Sequence, residues 1–155
     1  MDEAALRARL TTAELMLGPV RETVAEFLAD ERAPIGFIAF DLDYYTATMD
    51  AFGLLDGSSE RLLPRVAAYF DDVFGYGWSD FTGERAAIAD FNTAHEHRKI
   101  GKIHGMRYSL PPSQQPLAWH EQMYLIHLFD HPGYGTPEGA LAEGWLAAHR
   151  LAPEA

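Results

Sequence analysis

Apolar residues follow two rhythms along this chain. Short runs, unbroken or alternating, predict strands, and recurrence every three or four positions predicts helices. Ile35–Phe40 (IGFIAF) is unbroken, so it reads as a strand buried on both faces, as in a parallel sheet between helical layers. Arg65–Phe70 (RVAAYF) and Glu121–Phe129 (EQMYLIHLF) read as two more strands. Lys99–Leu110 alternates loosely through Ile100, Ile103, Met106 and Tyr108, and predicts a fourth.

Helical spacing appears between these runs. Met1–Leu10 combines alanine, leucine and arginine with acids at its start. Val20–Asp30 places Val20, Val24, Phe27 and Leu28 on one stripe. Thr46–Leu55 carries Met49, Phe52 and Leu55 at helical intervals, and Gly83–Ala94 turns Ala87, Ile88 and Phe91 to one side. Pro137–His149 predicts a terminal helix with Leu141 and Trp145 inward. Ala13–Leu17 fits a short strand or a helix end, and Gly18-Pro19 breaks either. Pro111–Pro116 is a proline-bounded turn, and the aromatic, glycine-rich stretch after Asp72 reads as a loop over a site. No repeat or linker interrupts the 155 residues, so the expectation is one α/β domain, 1–155, with a mostly parallel sheet.

Both of the first two strands end in acid. Asp41 and Asp43 follow Phe40, and Asp71-Asp72 follow Phe70. Charge does not stay in a sheet interior, so these aspartates mark where the strands emerge. The connection from Asp43 to Arg65 is long enough for a helical crossover, which brings both tips to one edge. In open α/β sheets that carboxyl edge is where ligands bind.

Composition narrows the chemistry. The formal net charge of −11 opposes nucleic-acid binding, which needs basic surface. The absence of cysteine excludes disulfides, thiolate nucleophiles and thiolate metal sites. No apolar stretch is long enough to cross a bilayer, and the first residues lack a signal-peptide pattern, so the expected compartment is the cytoplasm. Converging carboxylates repel unless a cation or a proton lies between them, and their hard oxygens suit magnesium, manganese or calcium. A lone aspartate in this position reads more simply as a helix cap. Two clusters at matching strand ends point to a site.

The histidines add little. His95-x-His97 does not share a helix face. His120-Glu121 lacks the second histidine of a zincin helix, because Tyr124 stands there. His127 reads as a packed strand residue.

Aspartates after an apolar strand occur in several families. Haloacid dehalogenase-type phosphatases share the apolar-Phe-Asp-Leu-Asp start, but here Tyr44-Tyr45 follows and no lysine lies between Asp41 and Asp71. Nucleotide-sugar glycosyltransferases use DxD after a nucleotide-binding unit that this chain lacks. A longer match starts at Asp41-Leu-Asp43-Tyr-Tyr45-Thr-Ala-Thr48 and continues through Val66–Asp72 and Gly83-Glu-Arg85 to Phe91. Together these segments resemble the class I S-adenosylmethionine-dependent O-methyltransferases of macrocin type, which act on macrolide sugars.

That resemblance implies a Rossmann-like sheet whose last strand is antiparallel and forms an edge hairpin. It implies magnesium held by Asp41, Asp71 and Asp72, with Asp41 receiving the substrate hydroxyl proton and Asp43 and Tyr45 facing a hydroxylated small molecule. Tyr45 and Thr48 read more simply as residues that pack or cap the following helix. The resemblance covers only the C-terminal half of the family's fold. No glycine-rich turn precedes Pro34, so the N-terminal cofactor-binding half is expected to be missing, and the isolated chain is expected to bind S-adenosylmethionine weakly or not at all. A truncated start, a split protein or a decayed paralogue accounts for this equally, as does a non-catalytic partner subunit. An unpaired edge on Ile35–Phe40 would then favour a homodimer or the missing half as partner.

Overall fold

The computed structural model describes residues 2–75 and 79–135. The predicted helix over Pro137–His149 and part of the aromatic loop after Asp72 lie outside these residues. Helices α1 (Glu3–Arg9) and α2 (Val20–Ala29) precede strand β1 (Ile35–Phe40). Helix α3 (Tyr45–Ala51), extended by a 3-10 turn at Phe52–Asp56, leads to β2 (Leu62–Phe70). Then come α4 (Gly83–Ala94), β3 (Arg98–Lys102) and β4 (Met123–Leu128).

The four strands form one open mixed sheet in the order β1-β2-β4-β3. β1 and β2 pair in parallel, while β4 is antiparallel to both β2 and β3. The mostly parallel sheet expected from the sequence is thus corrected: β4 inserts between β2 and β3, so only one of the three pairings is parallel. The fold is α/β.

Alternation along the strands fixes which face is covered. In β2, Leu62, Pro64, Val66, Ala68 and Phe70 are buried, while the residues between them are not. The same phase buries Tyr124, Ile126 and Leu128 in β4 and Ile100 in β3. These side chains join Ala51, Phe52 and Leu55 after β1, and Ala87, Ile88 and Phe91 of α4, in one core. Aromatic rings form its centre. Phe70 stacks on Phe40 with centroids 4.5 Å apart, and Phe52 meets both edge-on. Phe91 continues the cluster at 5.3 Å from Phe52, and Tyr124 sits 5.0 Å from Phe70. Such pairs contribute about 0.5–1.5 kcal/mol each beyond their buried area.

The expectation that β1 is buried on both faces also fails. Among the described residues β1 is an edge strand, and Phe37 on its far face is 56% exposed. Three further differences have local causes. Ala13–Leu17 is neither strand nor helix. β2 starts at Leu62, through Pro64, because its pairing with β1 shifts register between Ile35 and Phe37 and the missing proline N–H falls in that irregular stretch. β3 stops at Lys102, because Gly105 takes a left-handed conformation (φ 75°) and starts a 3-10 turn at Met106–Ser109.

Candidate functional site

Register places the two acidic tips side by side. Phe40 is level with Phe70 across the parallel pair, so Asp41 and Asp71 are the next residues out on neighbouring strands. The chain then holds both tips in tight turns. After β1, the buried Thr48 hydroxyl donates to the carbonyls of Tyr44 (3.0 Å) and Leu42 (3.3 Å), folding the Asp41–Tyr44 segment onto the first turns of α3. After β2, Asp71–Val73 forms a 3-10 turn whose Val73 anchors in the core.

Asp72 is where the charges converge. Burial raises its carboxyl above the usual aspartate range, and a side-chain hydrogen bond with Asp43 adds to this. The charges of Asp43, Asp71 and Asp41 push the same way. Asp72 Oδ2 is buried and has no hydrogen-bond partner. Asp71 is held differently, accepting from the Tyr69 hydroxyl at 2.6 Å and from Gln122 Nε2 at 3.2 Å. That hydrogen bond and burial push the Tyr69 hydroxyl up to about 12, so it stays a donor. Gln122 Nε2 also donates to the Asp71 carbonyl at 2.8 Å, which ties the start of β4 to the end of β2.

Beneath the aspartates lies Glu84, in the first turn of α4 and fully buried. Its Oε2 accepts the Asp72 backbone N–H at 2.9 Å, and the Leu42 backbone also stabilises its charge. Burial outweighs those contacts and, with the Asp72 and Asp71 charges, raises the Glu84 carboxyl to about 7. Its Oε1 has no partner. Glu84 therefore braces the Asp71–Val73 turn from below.

The other predicted site residues take separate positions. Asp43 and Tyr45 line an open cavity of about 690 Å³ together with Tyr44, Thr82 and Gly83. The Tyr45 hydroxyl donates to Asp90 of α4 at 2.8 Å, and Thr48 acts as a structural tie. His127 stacks on Phe129 and faces the Tyr134 hydroxyl, as a packed residue does. Glu84, Tyr69 and Gln122 were not anticipated from the sequence. The stripe Glu84-Ala87-Ile88-Phe91 was nevertheless the signal that Glu84 points inward.

Two observations bear on a cation. The unpartnered Asp72 oxygen and the Asp43–Asp72 pair are the donor chemistry a hard divalent ion satisfies. Among the described residues, no three histidine or acidic side chains stand close enough to cage an ion. Magnesium needs no such cage, since it commonly takes one or two carboxylates and keeps its waters. Before Pro34 the one glycine of the sequence is Gly18.

No helix among the described residues is long and apolar enough to cross a membrane. Comparison with protein-family models, curated proteins and solved structures finds no match.

Proposed function

We propose that the aspartate rim binds a divalent cation, with magnesium the best fit, and presents it to a hydroxylated small molecule. The reading takes this rim as the C-terminal portion of a metal-assisted O-methyltransferase. The observation that carries it is the Asp43–Asp72 carboxyl pair, held with an unpartnered buried oxygen at the shared end of β1 and β2. Asp72 and Asp43 would hold the ion, and Asp41 and Asp71 supply the surrounding negative charge. This differs from the Asp41, Asp71 and Asp72 set that the resemblance implies, because Tyr69 and Gln122 already engage Asp71. When bound, the ion would lower the pKa of a coordinated hydroxyl. Exposed Asp41 would receive that proton, and the cavity lined by Asp43 and Tyr45 would hold the body of the substrate. Two features support the methyltransferase reading over a phosphatase: β4 is antiparallel and forms an edge hairpin with β3, and no lysine accompanies Asp41.

A second reading is a non-catalytic partner subunit of methyltransferase type, favoured by a stretch before Pro34 whose one glycine is Gly18. Equilibrium dialysis with S-adenosylmethionine bears on it, since saturable retention by the chain would exclude the non-catalytic subunit. The rim itself is tested by adding manganese to isotope-labelled protein. The amide signals of Leu42, Asp43 and Asp72 are expected to broaden first, and to stay sharp in Asp72→Asn. Broadening spread evenly over the other surface acids would remove the site.

A further inference from the structure

The rim does not end with the aspartates. β3 runs in the same direction as β1 and β2, and β4 runs against them, so the ends of β1, β2 and β3 and the start of β4 share one edge. Read across that edge in spatial order, the charge changes sign. Asp41 and Asp43 come first, then Asp71 and Asp72, then Glu121 and Gln122 before β4, and finally Lys102 at the end of β3.

Beyond Lys102 the left-handed Gly105 turns the chain back against the 3-10 turn at Trp119–Gln122. Between them is a cleft of about 250 Å³ whose walls include Lys102, His104, Arg107, His120 and Glu121. The sequence has 12 lysines and arginines against 23 acids, and both cations of this cleft sit within a few residues of each other. Glu121 is paired with Lys102. Arg107 makes no ion pair or hydrogen bond through its guanidinium among the described residues, and its neighbour is the Tyr108 ring at 5.8 Å. One acid therefore faces two cations, and the cleft keeps positive charge on a strongly negative chain. His120 is a fixed wall, 5% exposed, with Nε2 at 3.2 Å from the Gln115 carbonyl and Nδ1 at 3.4 Å from Glu121 Oε1.

We propose that this cleft is an anion-binding subsite that takes a phosphate or carboxylate group. Its volume is below that of a pocket for a whole drug-sized ligand, which spans about 300–1,000 Å³, so it fits one charged group better than an entire molecule. Arg107, with no ion pair or hydrogen bond of its guanidinium to give up among the described residues, makes the charge-assisted contact, and Lys102 adds a second. Two strand spacings separate the ends of β2 and β3, about 10 Å, so one small molecule reaches from the cleft to the aspartates. The anion is either a free ion or the acidic group of the rim's own substrate. The latter case rests on the cation reading, and anion binding itself does not.

The test is calorimetry of the full chain with inorganic phosphate at low ionic strength, with chelator present so that no metal contributes. Saturable binding is expected, weakened about tenfold in Arg107→Gln, an exposed position where the variant keeps its fold. Asp72→Asn is expected to bind phosphate like the parent chain. Equal phosphate affinity in Arg107→Gln and the parent, or heats that chloride reproduces, would overturn the subsite. Glucose 6-phosphate with magnesium then separates the sources. Tighter binding than phosphate, lost in Asp72→Asn, assigns the anion to the rim's substrate. Equal binding assigns it to free phosphate and leaves the subsite standing.

Discussion

Glu84 shows how one side chain organises the acidic edge. It stands in the first turn of a helix, where an acid is ordinarily an exposed partner of the helix dipole. Here the helix is rotated so that this position faces inward, in line with Ala87, Ile88 and Phe91. The carboxyl braces the Asp72 backbone but leaves Oε1 unpaired, so ionising it is costly. The consequence is a pH dependence of defined sign in metal-free protein. The folded carboxyl keeps its proton up to about 7, whereas an unfolded glutamate releases it near about 4.3. Between those values the folded state binds more protons, so stability falls as pH rises and levels off above the upper value. For this fully buried group the loss is at most about 4 kcal/mol. Thermal unfolding in chelator is expected to show that decline, and Glu84→Gln to flatten it. Asp72, raised in the same direction, leaves a smaller residual slope. Unfolding temperatures that climb from pH 5 to 7 would mean Glu84 is ionised throughout.

The strands and helices differed in how far their sequence disclosed them. α4 begins and ends at the residues its spacing predicts, because Gly83 opens it and its apolar stripe is unbroken. β1 has the predicted limits but not the predicted surroundings, since an apolar run looks the same on an edge strand as on a central one. The insertion of β4 between β2 and β3 was not legible either. Strand order depends on long-range pairing, and no residue in Met123–Leu128 specifies a neighbour. That Asp41 and Asp71 leave neighbouring strands at one edge was legible, because charge does not stay in a sheet interior, whereas no three acids stand close enough to cage an ion among the described residues. Glu84, Tyr69 and Gln122 escaped because their importance comes from contacts between elements far apart in the chain. The two faces of the sheet are distinguished by a pair of phenylalanines. Phe70 is fully buried against Phe40, Phe52 and Tyr124, so Phe70→Ala is expected to cost about 3–5 kcal/mol in urea unfolding. Phe37, 56% exposed, is expected to tolerate alanine within about 0.5 kcal/mol. Equal costs would place a covering layer over both faces.

Across the molecule, the directions of the four strands gather the chemistry-bearing residues at one end. β1, β2 and β3 finish there and β4 starts there, so acid and base from four separate segments share a single rim. The net charge of −11 makes that rim costly to keep without a counter-ion, and burial together with the neighbouring carboxylates raises the Asp72 carboxyl accordingly. Because that carboxyl is raised, a divalent cation competes with protons for it. Calorimetric titration with magnesium at acidic and at neutral pH reads this competition directly. Saturable binding that is tighter at neutral pH is expected in the parent chain, and it is lost in Asp72→Asn. Heats that are the same in both proteins would contradict the cation-binding rim.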